Sequence, residues 1–189
     1  MPRLTKRLAL LLACAGLALC GPAQAQTLAA IEAAETALAA AWDATPLAFR
    51  TAVFATSDVA EFGRFTPRDG SEFAPGEPII VYAEPVGFGW TEGAGGFRSG
   101  FDIDLTIRRP DGVPLLEKPD FMEAGLEGAT RNRDFMLLMT LDLTGAEPGS
   151  YILDYTVRDV ASDETALISL PFSIAPAPAA PAPAPAPAG

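Results

Sequence analysis

Phe101-Asp-Ile-Asp-Leu-Thr-Ile-Arg108 alternates apolar and polar side chains without interruption, and Tyr151-Ile-Leu-Asp-Tyr-Thr-Val-Arg158 follows nearly the same pattern. Successive side chains of an extended chain point to opposite faces, so a period of two with one wet side marks half-buried antiparallel strands. Working outward, Phe135, Leu137, Met139, Leu141 and Leu143 form another such row, and Ala166, Ile168, Leu170, Phe172 and Ile174 one more. Glu77-Pro-Ile-Ile-Val-Tyr-Ala83 is apolar on both faces and predicts a central strand. Phe49–Ala55 reads as a first strand, and Val113–Lys118, which contains Pro114, as a short edge strand. Pro110-Asp-Gly112, Glu147-Pro-Gly149 and Val160–Glu164 supply the turns. Proline presets φ there, aspartate bonds its own backbone, and glycine takes positions that strain other residues. About seven strands punctuated in this way predict an all-β fold, an antiparallel two-sheet sandwich over residues 46–174, with a closed barrel as the alternative.

The flanking segments differ in composition. Residues 1–25 have a positive start (Arg3, Lys6, Arg7), an apolar run from Leu8 to Leu19 and small residues at Ala23 and Ala25. Together these predict a secretion signal cut before Gln26 and a periplasmic or secreted product. The apolar run is too short for a membrane span, which needs about 20 residues. A lipoprotein reading at Cys14 is disfavoured by the very short apolar core it leaves, and one at Cys20 by the bulk of Leu19. Residues 26–45 are alanine-rich, with Leu28, Ile31, Leu38 and Trp42 at helical spacing, and predict a helix ending before Pro46. It packs on the domain, frays or meets a partner. Residues 175–189 alternate alanine and proline and predict a disordered, extended Ala/Pro tail.

The segment Phe73-Ala-Pro-Gly-Glu-Pro-Ile-Ile-Val-Tyr82 resembles an early strand of bacterial immunoglobulin-like or fibronectin-like domains. Glu147-Pro-Gly-Ser-Tyr-Ile-Leu-Asp-Tyr-Thr-Val-Arg-Asp159, followed by Leu170-Pro-Phe-Ser-Ile174, is similar to their closing hairpin. The likeness spans most of residues 46–174 and is a pattern, not a functional motif. It implies an Ig-like sandwich and, by itself, no activity. The Cys-Trp-Cys arrangement of antibody domains is absent.

Composition excludes much chemistry. The chain has no histidine and its two cysteines, Cys14 and Cys20, fall in the signal, so neither a Ser-His-Asp relay, a Cys-His pair nor an imidazole or thiolate zinc site is open to the mature form. Lys118, the one lysine outside the signal, has no Ser-x-x-Lys spacing. With 13 basic and 24 acidic residues, and three basic ones in the signal, the mature charge is 10 − 24 = −14. That argues against nucleic acid and against anionic lipid as partners. The glycine-rich stretch Gly87–Gly96 leads toward the strand at Phe101, not a helix, and so reads as a flexible loop instead of a phosphate cradle. Asp102, Asp104 and Thr106 share one side of a strand. Paired carboxylates can cleave glycosides or hold calcium, but a solvated face predicts the same residues. No catalytic residue, metal site or cofactor is assigned.

Phe88, Trp90 and Phe97 stand within or beside the glycine-rich stretch and are the candidate binding residues. Aromatics on such a loop stack on sugars or enter a partner's pocket; the plainer reading is that Trp90 caps one end of the core. Phe62, Phe65 and Phe73, around Arg64, Arg68 and Asp69, invite the same two readings. The expectation is an exported, non-enzymatic envelope protein that binds a protein, glycan or envelope component. The alternatives are a carboxylate-dependent cell-wall glycan hydrolase and an assembly factor working through strand edges.

Overall fold

A computed structural model describes residues 27–56 and 61–178. The signal reading at 1–25 and the Ala/Pro run beyond residue 178 lie outside these residues. In chain order the elements are the helix α1 (Leu28–Asp43) and the strands β1 (Ala48–Phe54), β2 (Glu72–Phe73), β3 (Ile79–Val86), β4 (Thr91–Gly93), β5 (Gly96–Arg108), β6 (Pro114–Gly128), β7 (Leu137–Leu141), β8 (Gly149–Asp159) and β9 (Thr165–Ile174). The fold is all-β apart from the N-terminal helix, and the strands form two sheets, ordered β1-β3-β7 and β2-β9-β8-β5, with β6 along the outer side of β5. The short β4 pairs with the first residues of β5. All pairings are antiparallel except β2 with β9.

Each of the seven segments with strand patterning contains a strand. The two additions, β2 and β4, are two and three residues long, too brief for periodicity to register. The alternating rows face inward as expected: Phe101, Ile103, Leu105 and Ile107 of β5 oppose Leu137, Met139 and Leu141 of β7 in one buried cluster. Each such side chain contributes roughly 1.5–3 kcal/mol when fully removed from water. β3 is central and buried on both faces. Its second face is covered by the segment after β1, where Phe65 stacks on Tyr82 with ring centroids 4.0 Å apart.

β6 departs most from expectation. It does not stop at Lys118 but runs through Pro119 to Gly128, because a bulge absorbs the proline. Ile103 pairs with Met122 and Leu105 with Lys118, so residues 119–121 stand opposite Asp104 alone. Asp120 adopts φ 48°, a left-handed conformation that aspartate tolerates better than most residues. The Asp104 carboxylate fills the bulge by accepting the Asp120 amide at 2.8 Å and pairing with Arg158, which also reaches Asp120 at 3.0 Å. A second bulge lies at Leu115, between the pairs Ile107–Leu116 and Arg108–Pro114.

By compactness the chain divides into two units within the helix, one ending at Thr36 and one beginning at Ala37. In the first, the Thr27 carbonyl accepts the amides of Ala30 and Ile31. In the second, the last helical turns bury Trp42 while Leu38 stays exposed. Among the described residues, no helix is long and apolar enough to cross a membrane.

Candidate binding face

The glycine-rich stretch after β3 is folded back as a hairpin. Thr91–Gly93 pair with Gly96–Arg98 around a tight turn at Ala94 and Gly95. Two contacts fix the approach to this hairpin. Gly87, at φ +75°, lies so close to the end of the helix that a Cβ there would fall 2.4 Å from the Thr45 carbonyl oxygen. Two residues on, the Gly89 amide donates to Asp159 Oδ2 at 2.7 Å. Asp159 is 1% exposed, and its carboxylate also accepts Ala161 N–H at 3.0 Å and the Ser162 hydroxyl at 2.5 Å. A buried carboxylate needs such donors. The turn between β8 and β9 thereby clamps the residue lying between Phe88 and Trp90.

The three candidate aromatics occupy different depths. Phe88 is core, 1% exposed, meeting Phe101 and Phe135 edge-on at 5.5 and 5.8 Å. Its backbone carbonyl accepts the indole N–H of Trp42 at 2.8 Å, and the two rings form a T-shaped pair at 5.1 Å. Trp90 is half-buried beside them, 5.7 Å from Trp42 and 5.1 Å from Phe88. Its indole donates to the Asn132 carbonyl at 3.2 Å. Phe97 is also half-buried, on β5. The guanidinium of Arg131 lies over both remaining rings, 5.7 Å from Trp90 and 5.5 Å from Phe97. Arg133 stands over Trp42 at 5.5 Å. Such cation–aromatic contacts are worth about 0.5–1 kcal/mol in exposed positions.

The face is thus a half-exposed stack of indole, guanidinium and phenyl groups. Beside it is a shallow cavity of about 430 Å³ formed by the hairpin, with Arg98 paired to Glu127 at its wall. Sequence reasoning did not place Trp42 with Phe88, nor find Arg131 and Arg133. The available signal was the Arg-Asn-Arg spacing between two strands, which says nothing by itself about which rings it meets.

Most of the other candidates are engaged within the fold, while Asp69 is exposed. Phe73 is buried against Phe54 at 5.2 Å with Arg68 over its ring at 4.3 Å, and Arg68 pairs with Glu77 at 2.7 Å. Phe62 is half-buried, and Arg64 pairs with Glu61 at 2.6 Å. The Tyr82 hydroxyl accepts the Gly63 amide at 2.8 Å and donates to Glu84 at 2.7 Å. Burial, then the bond to Glu84, pushes its pKa up. The Asp120 amide, with Arg158 adding to it, holds the Asp104 carboxyl below its ordinary range. A general acid near neutral pH needs the opposite shift. Asp102 and Thr106 share its side of β5, half-buried and facing Arg158 and Asp154 respectively across β8. Among the described residues, no group of three or more acidic side chains is arranged to hold a metal ion.

No protein-family model matches the chain, and no curated protein is found to be similar to it.

Proposed function

We propose that this is an exported, non-enzymatic immunoglobulin-like module of the bacterial envelope that binds a partner protein through Trp90, Arg131 and Phe97. The Ig-like reading is supported by strand order. With β2 and β4 set aside, β1-β3-β7 correspond to strands A-B-E, and β9-β8-β5-β6 to G-F-C-C′. It is also supported by Tyr151, at the start of β8, whose hydroxyl donates to the Glu147 carbonyl at 2.6 Å in the manner of a tyrosine corner. Export rests on the tripartite N-terminus.

The observation that carries the binding role is the half-exposed Trp90–Arg131–Phe97 stack, with the backbone next to Trp90 held by the Asp159 clamp. Tryptophan and arginine dominate the energetics of protein interfaces, and aromatic side chains with few rotatable bonds lose little entropy on contact. The test is a pull-down from envelope extract with mature protein, followed by affinity measurement on the recovered partner. Trp90→Ala combined with Phe97→Ala is expected to weaken binding by about 2 kcal/mol or more, roughly thirtyfold. Recovery of the same partner with unchanged affinity refutes the assignment. Retention of the unmodified protein on envelope polysaccharide, with no protein partner, favours a glycan ligand instead.

A further inference from the structure

A second site lies at the far end of β5, roughly 33 Å from Phe97 at about 3.3 Å per residue. There Ile107, Leu115, Leu116, Leu143, Glu147 and Tyr151 line an apolar cavity of about 290 Å³ that is open to solvent. The bulge at Leu115 makes it: two residues of β6 stand where the ladder accommodates one, so neighbouring leucines both line the cavity instead of facing apart. They remain 51% and 41% exposed.

Backbone and charge point to one occupant. Among the described strands β6 pairs with β5 alone, so its outer edge carries unpaired amide and carbonyl groups, the template for strand addition. Its distal half is guarded by Pro119 and the bulge at Asp120; the half beside the cavity also carries Pro114, Glu117 and Lys118, but there the bulge at Leu115 turns two leucines over the cavity. Glu147 on the cavity rim and Glu117 on the strand have no ion-pair partner among the described residues. Arg108 and Arg109 are balanced by Asp154 at 2.6 Å and Asp111 at 3.7 Å, and Lys118, over the Phe121 ring at 5.3 Å, offsets only one of the two free carboxylates, so the site keeps a net negative charge. A second copy of this acidic chain would bring like charges together. We infer that the Pro114–Lys118 edge of β6 is a peptide-addition site for an extended partner segment in which an apolar side chain, flanked by lysine or arginine, enters the Leu115–Leu116 cavity.

The probe is a blocked peptide of about nine residues alternating leucine or valine with lysine, titrated into full-length mature protein by calorimetry. Saturable binding is expected. The double variant Leu115→Asp, Leu116→Asp should weaken it at least tenfold although it adds negative charge, which separates cavity insertion from plain attraction. Circular dichroism and the urea midpoint check that variant's fold. N-methylating alternate peptide amides, a change that leaves the protein untouched, should also weaken binding at least tenfold. A glutamate-for-lysine peptide should bind at least tenfold more weakly. The inference is overturned by no saturation up to about 1 mM, by equal affinity of the methylated peptide, or by undiminished binding to a folded double variant. It is also overturned if light scattering shows a dimer that the double variant dissolves, since the occupant is then a second copy. Trp90→Ala should leave peptide affinity unchanged, so this site and the aromatic face stand or fall separately.

Discussion

Replacing Asp159 by alanine is expected to destabilise the fold by about 3–4 kcal/mol. The carboxylate accepts three hydrogen bonds, from Gly89 N–H, Ala161 N–H and the Ser162 hydroxyl. A bond to a charged acceptor contributes about 1.5–3 kcal/mol, and a donor left buried without a partner costs about 1–3 kcal/mol. Ser162 is exposed and Ala161 half-exposed in the turn, so both can turn to water, and their loss is set at about 1 kcal/mol together. Gly89 is held under the turn and supplies the remaining 2–3 kcal/mol or so. Asp159→Asn keeps one acceptor oxygen and should cost about half as much. Urea unfolding followed by tryptophan fluorescence measures both, as lowered midpoints at an unchanged slope. The clamp is refuted if the alanine variant stays within about 1 kcal/mol of the parent.

Trp42→Ala should cost about 3–5 kcal/mol by calorimetric melting, because it removes the ring packed on Phe88 as well as the indole bond. Trp42→Phe should cost clearly less. Gly87→Ala should be destabilising by more than about 2 kcal/mol in urea, since the new methyl meets two backbone carbonyl oxygens at a positive φ. Asp104 has a depressed pKa, so its contribution is fully present above its ordinary value of 3.8 and is lost as pH falls through the lower folded value. Urea midpoints taken from about pH 6 to about pH 2 should therefore fall less steeply for Asp104→Asn than for the parent.

The strands were legible wherever one side met water. Residues 101–108 and 151–158 declare their inward faces by alternation, and β3 by apolar residues on both. What escaped was set by distant partners. Pro119 reads as a strand end, yet Asp104 and Arg158 stabilise the irregular backbone next to it and let β6 continue. Phe88 reads as a loop aromatic because glycines surround it; its burial is decided by Trp42, 46 residues earlier, and by Phe135. Arg131 acquires meaning only when Trp90 and Phe97 flank it. Local pattern encodes which way a side chain faces, but not which remote group comes to meet it.

The turn joining the last two strands also bears on the order of assembly. Asp159 grips a residue 70 positions earlier, and Glu164 accepts the amide of Leu47, 117 positions earlier. Long separations of this kind slow folding, because the intervening chain must be closed into a loop before any reward is collected. A polypeptide emerging amino-end first therefore carries its opening strand and aromatic shoulder unfastened until the final hairpin arrives. Truncation ahead of that hairpin should leave a chain that never latches, however complete its earlier strands.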